Sequence, residues 1–262
     1  MKIYQVDSFT NEKFKGNPAG VCITDKPLEN DLMQNIALEM DISETAFIYK
    51  NGDHYKIKFF APESEINLCG HATLATAHIL YEKNIEPLGK EIIFKANSAE
   101  LRTINSGDYI KMNFPVLELN ERFDNEKFTE ASGIKPVAMY DTNDHWTLVV
   151  VENQNDLISA APDLNKLMQN GLGDVVLTSR SDDKNFDYLL RCFAPAVGIP
   201  EDPATGSAQC ALAPYWSKIT GKKEFKAKQC SKRTGEFKVI LNGDRVEIFG
   251  KAVTVFEIET TF

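Results

Sequence analysis

One stretch of the sequence, residues 201–210 (EDPATGSAQC), combines small polar residues with a pattern typical of a helix start. Asp202 can cap the helix, Pro203 suits its first turn, and Gly206 allows close approach to the backbone. The N–H groups of a first helical turn lack partners within the helix, so together they can bind an anion. The alternative interpretation is an ordinary capped helix, because this string on its own is not specific.

A second copy of the pattern favours the anion-binding interpretation. The tripeptide FAP occurs at 60–62 and at 193–195. In each case a helix rich in small residues begins seven residues after the proline, at Cys69 and at Asp202. The two copies lie about half the chain length apart, so the sequence predicts a duplicated unit. We expect each half to present a helix N-terminus to one cleft between the halves.

Three further residues have types suited to proton chemistry or ligand binding. Glu44 precedes an apolar segment, and a buried glutamate costs free energy unless it has a partner or a role. Its other interpretation is a solvated carboxylate at the edge of a strand. His71 either binds a ligand or caps its helix. Cys69 is either a reactive thiol at a helix N-terminus or a small buried apolar residue.

The elements that must position these residues are short strands and two helices. The helices predicted at 70–82 and 204–216 have almost no polar face, so we expect both to be buried nearly all round. Alternating apolar residues predict strands around them. The fold class is therefore α+β, with two pseudo-symmetric domains that each wrap an antiparallel sheet or barrel around a central buried helix. The polar segment 115–129 predicts the crossover, which gives domains at 1–117 and 118–262, and the last strand could cross back.

Local patterns predict several other elements. Apolar residues at helical spacing predict a helix that ends near Met40. The region 155–167 is predicted helical, with a break near Pro162. Asn242-Gly243-Asp244 predicts a hairpin turn. The lysine-rich segment 218–232 is interpreted as solvated surface that could at most attract small anions.

Composition excludes several classes of protein. Apolar residues make up 43% and charged residues 26% of the chain, as in globular proteins. The net charge of −9 argues against nucleic-acid binding, and no apolar run is long enough to span a membrane. The first residues do not resemble a secretory signal, and five cysteines without CxxC spacing fit reduced thiols, so we expect a cytoplasmic protein. His54, His78 and His145 lack metal-ligand spacing, so we expect no metal.

Four motifs together resemble the PhzF-like isomerase family of phenazine biosynthesis. They are GNPAGV at 16–21, SETAF at 43–47, FAPESEINLCGHATLATAH at 60–78 and EDPATGSA at 201–208. They occur in the order that the family shows and cover essentially the whole chain. The resemblance implies the diaminopimelate epimerase-like fold. It also implies an enzyme without cofactor, usually a homodimer, that moves a proton on a small carboxylic acid.

The resemblance assigns roles to individual residues. Glu44 corresponds to the family's acid/base, and His71 and Asp202 correspond to the other catalytic positions. The substrate-binding positions implied are Ser43, Cys69, Gly70, Thr205, Gly206 and Ser207. Related epimerases and racemases use two cysteines, one at each helix N-terminus. Here Asp202 and Pro203 occupy the second region, and Cys210 is expected about two turns further along its helix, so a two-thiol mechanism is not expected.

Three functions remain open at this point. The leading hypothesis is a cofactor-independent isomerase that moves a proton on a small carboxylic acid bound between the halves, with Glu44 as acid/base. An amino-acid epimerase, racemase or lyase on the same fold would need two opposed bases. A catalytically silent protein that binds small acids would show no exchange of substrate protons with solvent.

Overall fold

The computed structural model describes residues 1–97 and 99–261, and these form two compact units. Unit 1 comprises Met1–Asn113 together with the C-terminal segment from Phe249. Unit 2 comprises Phe114–Ile248. The end of the chain thus returns to the unit in which the chain begins.

The secondary structure follows the chain in order. Unit 1 begins with the strands β1 (Lys2–Ser8), β2 (Asn17–Thr24), β3 (Glu44–Asn51), β4 (His54–Phe60), β5 (Glu65–Ile66), β6 (Ile92–Lys95), β7 (Glu100–Ser106) and β8 (Tyr109–Pro115), with the helices α1 (Asn30–Met40) and α2 (Gly70–Glu82). The strands that follow are β9 (Leu119–Arg122), β10 (Ala138–Thr142), β11 (Thr147–Val150), β12 (Val175–Arg180), β13 (Tyr188–Ala194), β14 (Ile199–Asp202), β15 (Glu224–Gln229), β16 (Gly235–Asn242), β17 (Arg245–Gly250) and β18 (Ala252–Glu259). The helices of unit 2 are α3 (Asn125–Ser132), α4 (Gln154–Ser159), α5 (Leu164–Gln169) and α6 (Gln209–Thr220), with a 3₁₀ turn at Pro195–Val197.

The strand pairing of unit 1 is repeated in unit 2. In unit 1, β1–β2, β3–β4 and β6–β7 are antiparallel, whereas β2–β3 and β4–β6 are parallel. In unit 2, β10–β11, β12–β13 and β15–β16 are antiparallel, whereas β11–β12 and β13–β15 are parallel. This correspondence confirms the duplication predicted from the repeated FAP tripeptide.

The sheets are mixed, although the sequence predicts antiparallel ones. Parallel neighbours need a crossover connection, and helices provide it here. Helix α1 connects β2 to β3, and α2 lies between β4 and β6. In unit 2, α4 and α5 connect β11 to β12, and α6 lies between β13 and β15. The helical crossovers therefore impose the parallel pairs on otherwise antiparallel sheets.

The described residues form two repeats of nine strands, β1–β9 and β10–β18, and the last strand of each repeat pairs with the first strand of the other. Strand β18 follows β17 but pairs with β1, and β9 follows β8 but pairs with β10. The segment predicted as the crossover, 115–129, contains β9 and the start of α3. The boundary between the two units falls at its start, after Asn113, and its sparse apolar periodicity is why the sequence did not predict these short elements.

The two central helices have the predicted composition, but only one has the predicted start. Helix α2 begins at Gly70 and is buried on nearly all sides, as expected. Helix α6 is also largely buried, but it begins at Gln209 rather than near residue 204. Pro214 lies inside α6 and has no N–H to bond the carbonyl of Cys210. That carbonyl instead accepts a hydrogen bond from Leu117 N at 3.0 Å.

The structure also tests the other predictions of individual elements. Helix α1 ends at Met40 and α4 and α5 flank Pro162, as predicted. The hairpin β16–β17 turns at Gly243, also as predicted. The lysines of segment 218–232 lie largely at the surface, as predicted, but the segment also contains β15, in which Phe225, Ala227 and Gln229 are buried in alternation with lysines. Among the described residues, no helix has the length and apolar character needed to cross a membrane.

Candidate active site

Three of the predicted site residues lie together in unit 1. Glu44 is the first residue of β3, Cys69 is the N-cap of α2, and His71 lies in the first turn of that helix. The three residues are 8%, 6% and 8% exposed. Cys69 Sγ is 3.3 Å from His71 Nδ1, and His71 Nε2 is 2.9 Å from Glu44 Oε2. A thiol, an imidazole and a carboxylate therefore form a continuous buried chain.

Neighbouring strands hold this chain in place. The parallel pairing of β2 with β3 sets Glu44 opposite Ala19. Ser8 Oγ, at the end of β1, donates a hydrogen bond to the backbone carbonyl of His71 at 2.8 Å. Ser43 Oγ donates to Asn17 Oδ1 at 3.2 Å. Ser43 was predicted to bind substrate, whereas Ser8 and Asn17 were not considered, although Asn17 belongs to the quoted motif GNPAGV.

The contact between Glu44 and His71 is electrostatic. The atoms Oε2 and Nε2 are 2.9 Å apart, but Oε2 has no hydrogen bond of acceptable geometry to any described residue. Glu44 therefore carries a buried acceptor atom that is available to a further ligand.

The neighbours shift the pKa values of His71 and Cys69. Burial acts to lower the pKa of His71, but the charges of Cys69 and Glu44 outweigh it and raise this pKa well above its ordinary value. Burial raises the pKa of Cys69, and the Glu44 carboxylate raises it further. The raised pKa of His71 thus rests on both acidic neighbours, whereas a thiol with a raised pKa is neutral near pH 7. The reactive-thiolate interpretation of Cys69 is thus not supported at neutral pH.

The first turn of α2 offers backbone donors beside this chain. Cys69 makes no side-chain capping hydrogen bond, and the first N–H groups of a helix have no partner within it. Gly70 is the first helical residue, and its lack of a side chain leaves the backbone open to close approach. The arrangement can bind a carboxylate or an enolate oxygen through N–H donors.

The second predicted segment, 202–207, forms a turn in unit 2 rather than a helix start. Asp202 ends β14, and its carboxylate accepts a hydrogen bond from Thr205 Oγ1. Gln209 N bonds the carbonyl of Gly206 at 3.1 Å, and Cys210 N bonds that of Ser207 at 3.0 Å. The prediction that Asp202 caps the helix was therefore wrong, because a strand and a turn separate it from α6.

Gln229 fixes the shape of this turn. Its side-chain oxygen accepts a hydrogen bond from Thr205 N at 2.8 Å, and its Nε2 donates to the carbonyl of Asp202 at 2.6 Å. Ser231 Oγ also donates, to the carbonyl of Pro203, at 2.6 Å. Gln229 is fully buried. The sequence prediction missed it, and its place at the end of the alternating strand β15 is the signal that could have found it.

The position of Cys210 also differs from the prediction. It is the second residue of α6 rather than two turns along that helix, because α6 starts at Gln209. Burial raises the pKa of Cys210 to about 12. Like Cys69, it is therefore a neutral thiol near pH 7, and all five cysteines of the chain are free.

The structure thus brings together Glu44, Cys69 and His71 in one unit and gathers Asp202, Thr205, Gly206 and Ser207 in the other. The prediction that both segments face one cleft stays a prediction. A cavity of about 390 Å³ in unit 1 is lined by residues of β3 and β4 and by three lysines, but by none of the three clustered residues. The chemistry of the cluster therefore does not belong to that cavity.

Comparisons with known proteins agree with the resemblance. A family model described as "Phenazine biosynthesis-like protein" matches residues 6–258. An uncharacterized isomerase of Halalkalibacterium halodurans is 40% identical over 259 residues, which cover 98% of this chain and 97% of the relative. The crystal structure of a PhzF-family phenazine biosynthesis protein from Enterococcus faecalis has a TM-score of 0.94 at 34% identity, covering 100% of this chain and 99% of that one. A Pseudomonas aeruginosa structure described as a predicted epimerase has a TM-score of 0.80 at 22% identity, covering 100% of this chain and 99% of that one, and confirms the epimerase-like fold.

Proposed function

The chain belongs to the phenazine biosynthesis-like protein family, and from this premise we propose that it is an isomerase that relocates a proton on a small carboxylic acid. The relative from Halalkalibacterium halodurans is named an isomerase, which supports the reaction class. The observation that carries the proposal is the buried contact of Glu44 with His71, 2.9 Å apart at the start of α2. A carboxylate in this setting is the acid/base, and no metal or organic cofactor is needed for the step.

The protonation states of Glu44 and His71 suit such a reaction. As an ion pair the two groups are a Glu44 carboxylate and a His71 imidazolium, 2.9 Å apart, a form that the raised pKa of His71 favours. When Glu44 takes a proton from a substrate carbon, the electron pair of that C–H bond moves into the conjugated acid, and the pair becomes positive. That charge stabilises the anionic intermediate. Glu44 then returns the proton to a different carbon, so no proton is gained or lost overall.

We propose that backbone and hydroxyl donors bind the substrate's carboxylate. In unit 1 the candidates are the N–H groups at Gly70, beside Ser43, whose hydroxyl already donates to Asn17. In unit 2 the separate candidates are the N–H groups of Gly206 and Ser207 and the Ser207 hydroxyl, since Thr205 already donates to Gln229 and Asp202. Asp202 is proposed to position the Thr205 hydroxyl, which donates a hydrogen bond to its carboxylate. Hydrogen bonds to a charged group are stronger than neutral ones, which suits an anionic substrate.

One observation favours a second candidate, an epimerase. Cys69 belongs to the same cluster, with Sγ 3.3 Å from His71 Nδ1, and its raised pKa makes it a proton donor near pH 7. Glu44 as base and Cys69 as acid would invert a stereocentre. The isomerase requires one of these groups, whereas the epimerase requires both.

Deuterium exchange tests the proposal. Wild-type enzyme is incubated in deuterated water with a panel of small unsaturated and α-substituted carboxylic acids, and deuterium uptake is followed by mass spectrometry. In Glu44→Gln we expect the rate to fall about 10²- to 10⁴-fold with ligand binding unchanged, the range for lost acid–base catalysis. Cys69→Ser should retain most of the rate. Glu86→Gln is the matched control, because Glu86 is also a buried glutamate of unit 1 and lies outside the cluster.

The outcomes separate the hypotheses. If Cys69→Ser abolishes exchange while Glu44→Gln retains it, the one-carboxylate mechanism is wrong. Loss of activity in both variants, together with inversion of a stereocentre, would establish the epimerase. Binding of acids to the wild type without any exchange would leave a silent binding protein.

A further inference from the structure

We propose that Glu44, Cys69 and His71 form an inhibitory Zn²⁺ site. One ligand atom from each residue lies within 4.8 Å of the other two. His71 Nε2 is 2.9 Å from Glu44 Oε2 and 3.8 Å from Cys69 Sγ. The three side chains come from two elements, the start of β3 and the start of α2, that the fold of unit 1 holds together.

The spacing fits tetrahedral zinc. Bonds of about 2.0–2.2 Å to nitrogen and oxygen and about 2.3 Å to sulfur place the ligand atoms roughly 3.3–3.7 Å apart. The distance from Nε2 to Sγ already lies near this range, and the distance from Nε2 to Oε2 must grow by about half an ångström. The third distance, between the carboxylate of Glu44 and Cys69 Sγ, is within 4.8 Å, so all three ligand atoms lie around one position.

A second observation points to a missing ligand at the same place. Glu44 is more than nine-tenths buried, and its Oε2 has no hydrogen bond to any described residue. Buried acceptors are nearly always satisfied, and an unsatisfied one needs an explanation such as an ion. A zinc ion would add a bond to this oxygen, which His71 Nε2 approaches at 2.9 Å without forming a hydrogen bond.

The donor set selects zinc over harder cations. Thiolate and imidazole favour Zn²⁺, whereas Mg²⁺ and Ca²⁺ prefer sites made only of oxygen atoms. Charge also balances, because Zn²⁺ with the Cys69 thiolate, the Glu44 carboxylate and a neutral His71 ring forms a complex of zero net charge. Binding releases two protons to solvent, one from the thiol and one from the imidazolium. Each residue retains a few per cent of exposure, which leaves a small ion access.

Occupation of this site would stop the reaction. A Glu44 carboxylate bound to zinc cannot accept a substrate proton, and the His71 imidazolium no longer exists. Three protein ligands leave the fourth position of zinc open to water or to a carboxylate. Inhibition therefore rests on the proposed function, whereas the binding of zinc does not.

Cobalt absorption tests the binding without any activity assay. Co²⁺ is titrated into metal-free protein, and the absorption spectrum is recorded. We expect one equivalent to produce a thiolate-to-cobalt charge-transfer band in the near ultraviolet together with intense tetrahedral d–d bands. One equivalent of Zn²⁺ should then bleach both. Cys69→Ser should lose the charge-transfer band, and Glu44→Gln should bind at least about 100-fold more weakly, because loss of a second-shell partner alone costs about 10- to 100-fold. Cys230→Ser, which removes the most accessible thiol, is the control and should behave like the wild type.

The outcomes are independent of the proposed isomerase activity. Absence of the charge-transfer band in wild-type protein, or its persistence in folded Cys69→Ser, overturns the zinc site. If the band appears but no acid undergoes exchange, the zinc site stands and the isomerase proposal fails. If exchange occurs but the band does not appear, the isomerase proposal stands and the zinc site fails. If both hold, one equivalent of Zn²⁺ should abolish exchange in the wild type, and a chelator should restore it.

Discussion

Replacement of Gln229 by leucine should lower the free energy of unfolding of unit 2, because it removes the hydrogen bonds of the Gln229 side chain. The variant Gln229→Leu keeps a similar volume but removes the acceptor of Thr205 N and the donor to the Asp202 carbonyl and to Thr205 Oγ1. A buried N–H without a partner costs about 1–3 kcal/mol, and each of the other two bonds contributes about 0.5–1.5 kcal/mol. We therefore expect the free energy of unfolding to fall by about 2–6 kcal/mol.

Tryptophan fluorescence makes this measurement specific to one unit. The two tryptophans of the chain, Trp146 and Trp216, both lie in unit 2 and are buried. Urea unfolding followed by fluorescence therefore reports on the unit that contains Gln229, and far-ultraviolet circular dichroism reports on the whole chain. Ser231→Ala is the matched control, because it removes one hydrogen bond to the same turn and one from Thr234 N, and it should cost about 1–3 kcal/mol without exposing the Thr205 amide.

Hydrogen exchange gives a second, local measurement. In Gln229→Leu the amide of Thr205 should exchange with solvent much faster than in the wild type, because its acceptor is gone. A change of less than about 0.5 kcal/mol in the free energy of unfolding, the range of ordinary surface substitutions, would refute the assignment of Gln229 as the clamp of this turn. Unchanged exchange of the Thr205 amide would refute it as well.

Two pH-dependent predictions concern unit 1. Burial acts to raise the pKa of Glu86, but hydrogen bonds from groups such as Lys50 and Lys90 outweigh it and lower this pKa to about 2. Glu86 should therefore stabilise the protein above about pH 4.5, and this contribution should be lost as the pH falls through about 2. Glu86→Gln should lower the free energy of unfolding by at most about 3 kcal/mol at pH 7, because solvent screens the half-exposed lysines and reduces the effect. A cost that does not change with pH, measured by urea unfolding, would contradict this prediction. The raised pKa of His71 implies stability that is fully present below about pH 6.5 and lost as the pH rises through the folded pKa. NMR of the His71 ring should give a midpoint well above 6.5 that falls in Glu44→Gln, and an equal midpoint in both proteins would show that Glu44 is not the stabilising charge.

Local patterns predicted much of the fold but not the contacts of the site. The composition of residues 70–82 was sufficient to predict helix α2, because a helix made almost entirely of small and apolar residues must be buried. The repeated FAP tripeptide was sufficient to predict the duplication. The 2.9 Å contact between Glu44 and His71 joins a strand to a helix, and no local pattern reports a tertiary distance of this kind.

The error at α6 shows how tertiary contacts override a local signal. The residues Asp202 and Pro203 are typical of a helix start, yet Asp202 pairs with Cys192 as part of strand β14. Gln229, whose partner Thr205 lies 24 residues earlier, then holds the following turn through its side chain. The alternation of β15 could have indicated that Gln229 is buried, but its partners Thr205 and Asp202 are distant in sequence, and no local pattern identifies them.

The duplicated scaffold carries different chemistry in its two copies. In unit 1 helix α2 starts directly after Cys69, so the titratable side chains of Cys69 and His71 lie at the helix N-terminus, beside Glu44. In unit 2 a turn of hydroxyl and backbone groups comes before the helix, and Gln229, a neutral side chain, fixes it. Both thiols at the helix starts, Cys69 and Cys210, have raised pKa values and are neutral near pH 7. A symmetric pair of thiolate bases is therefore disfavoured, because each would need to lose a proton that burial retains. Carboxyl groups ordinarily ionise at a much lower pH than thiols, and for this reason a one-base proton shift on Glu44 accounts for the site better than a two-thiol inversion.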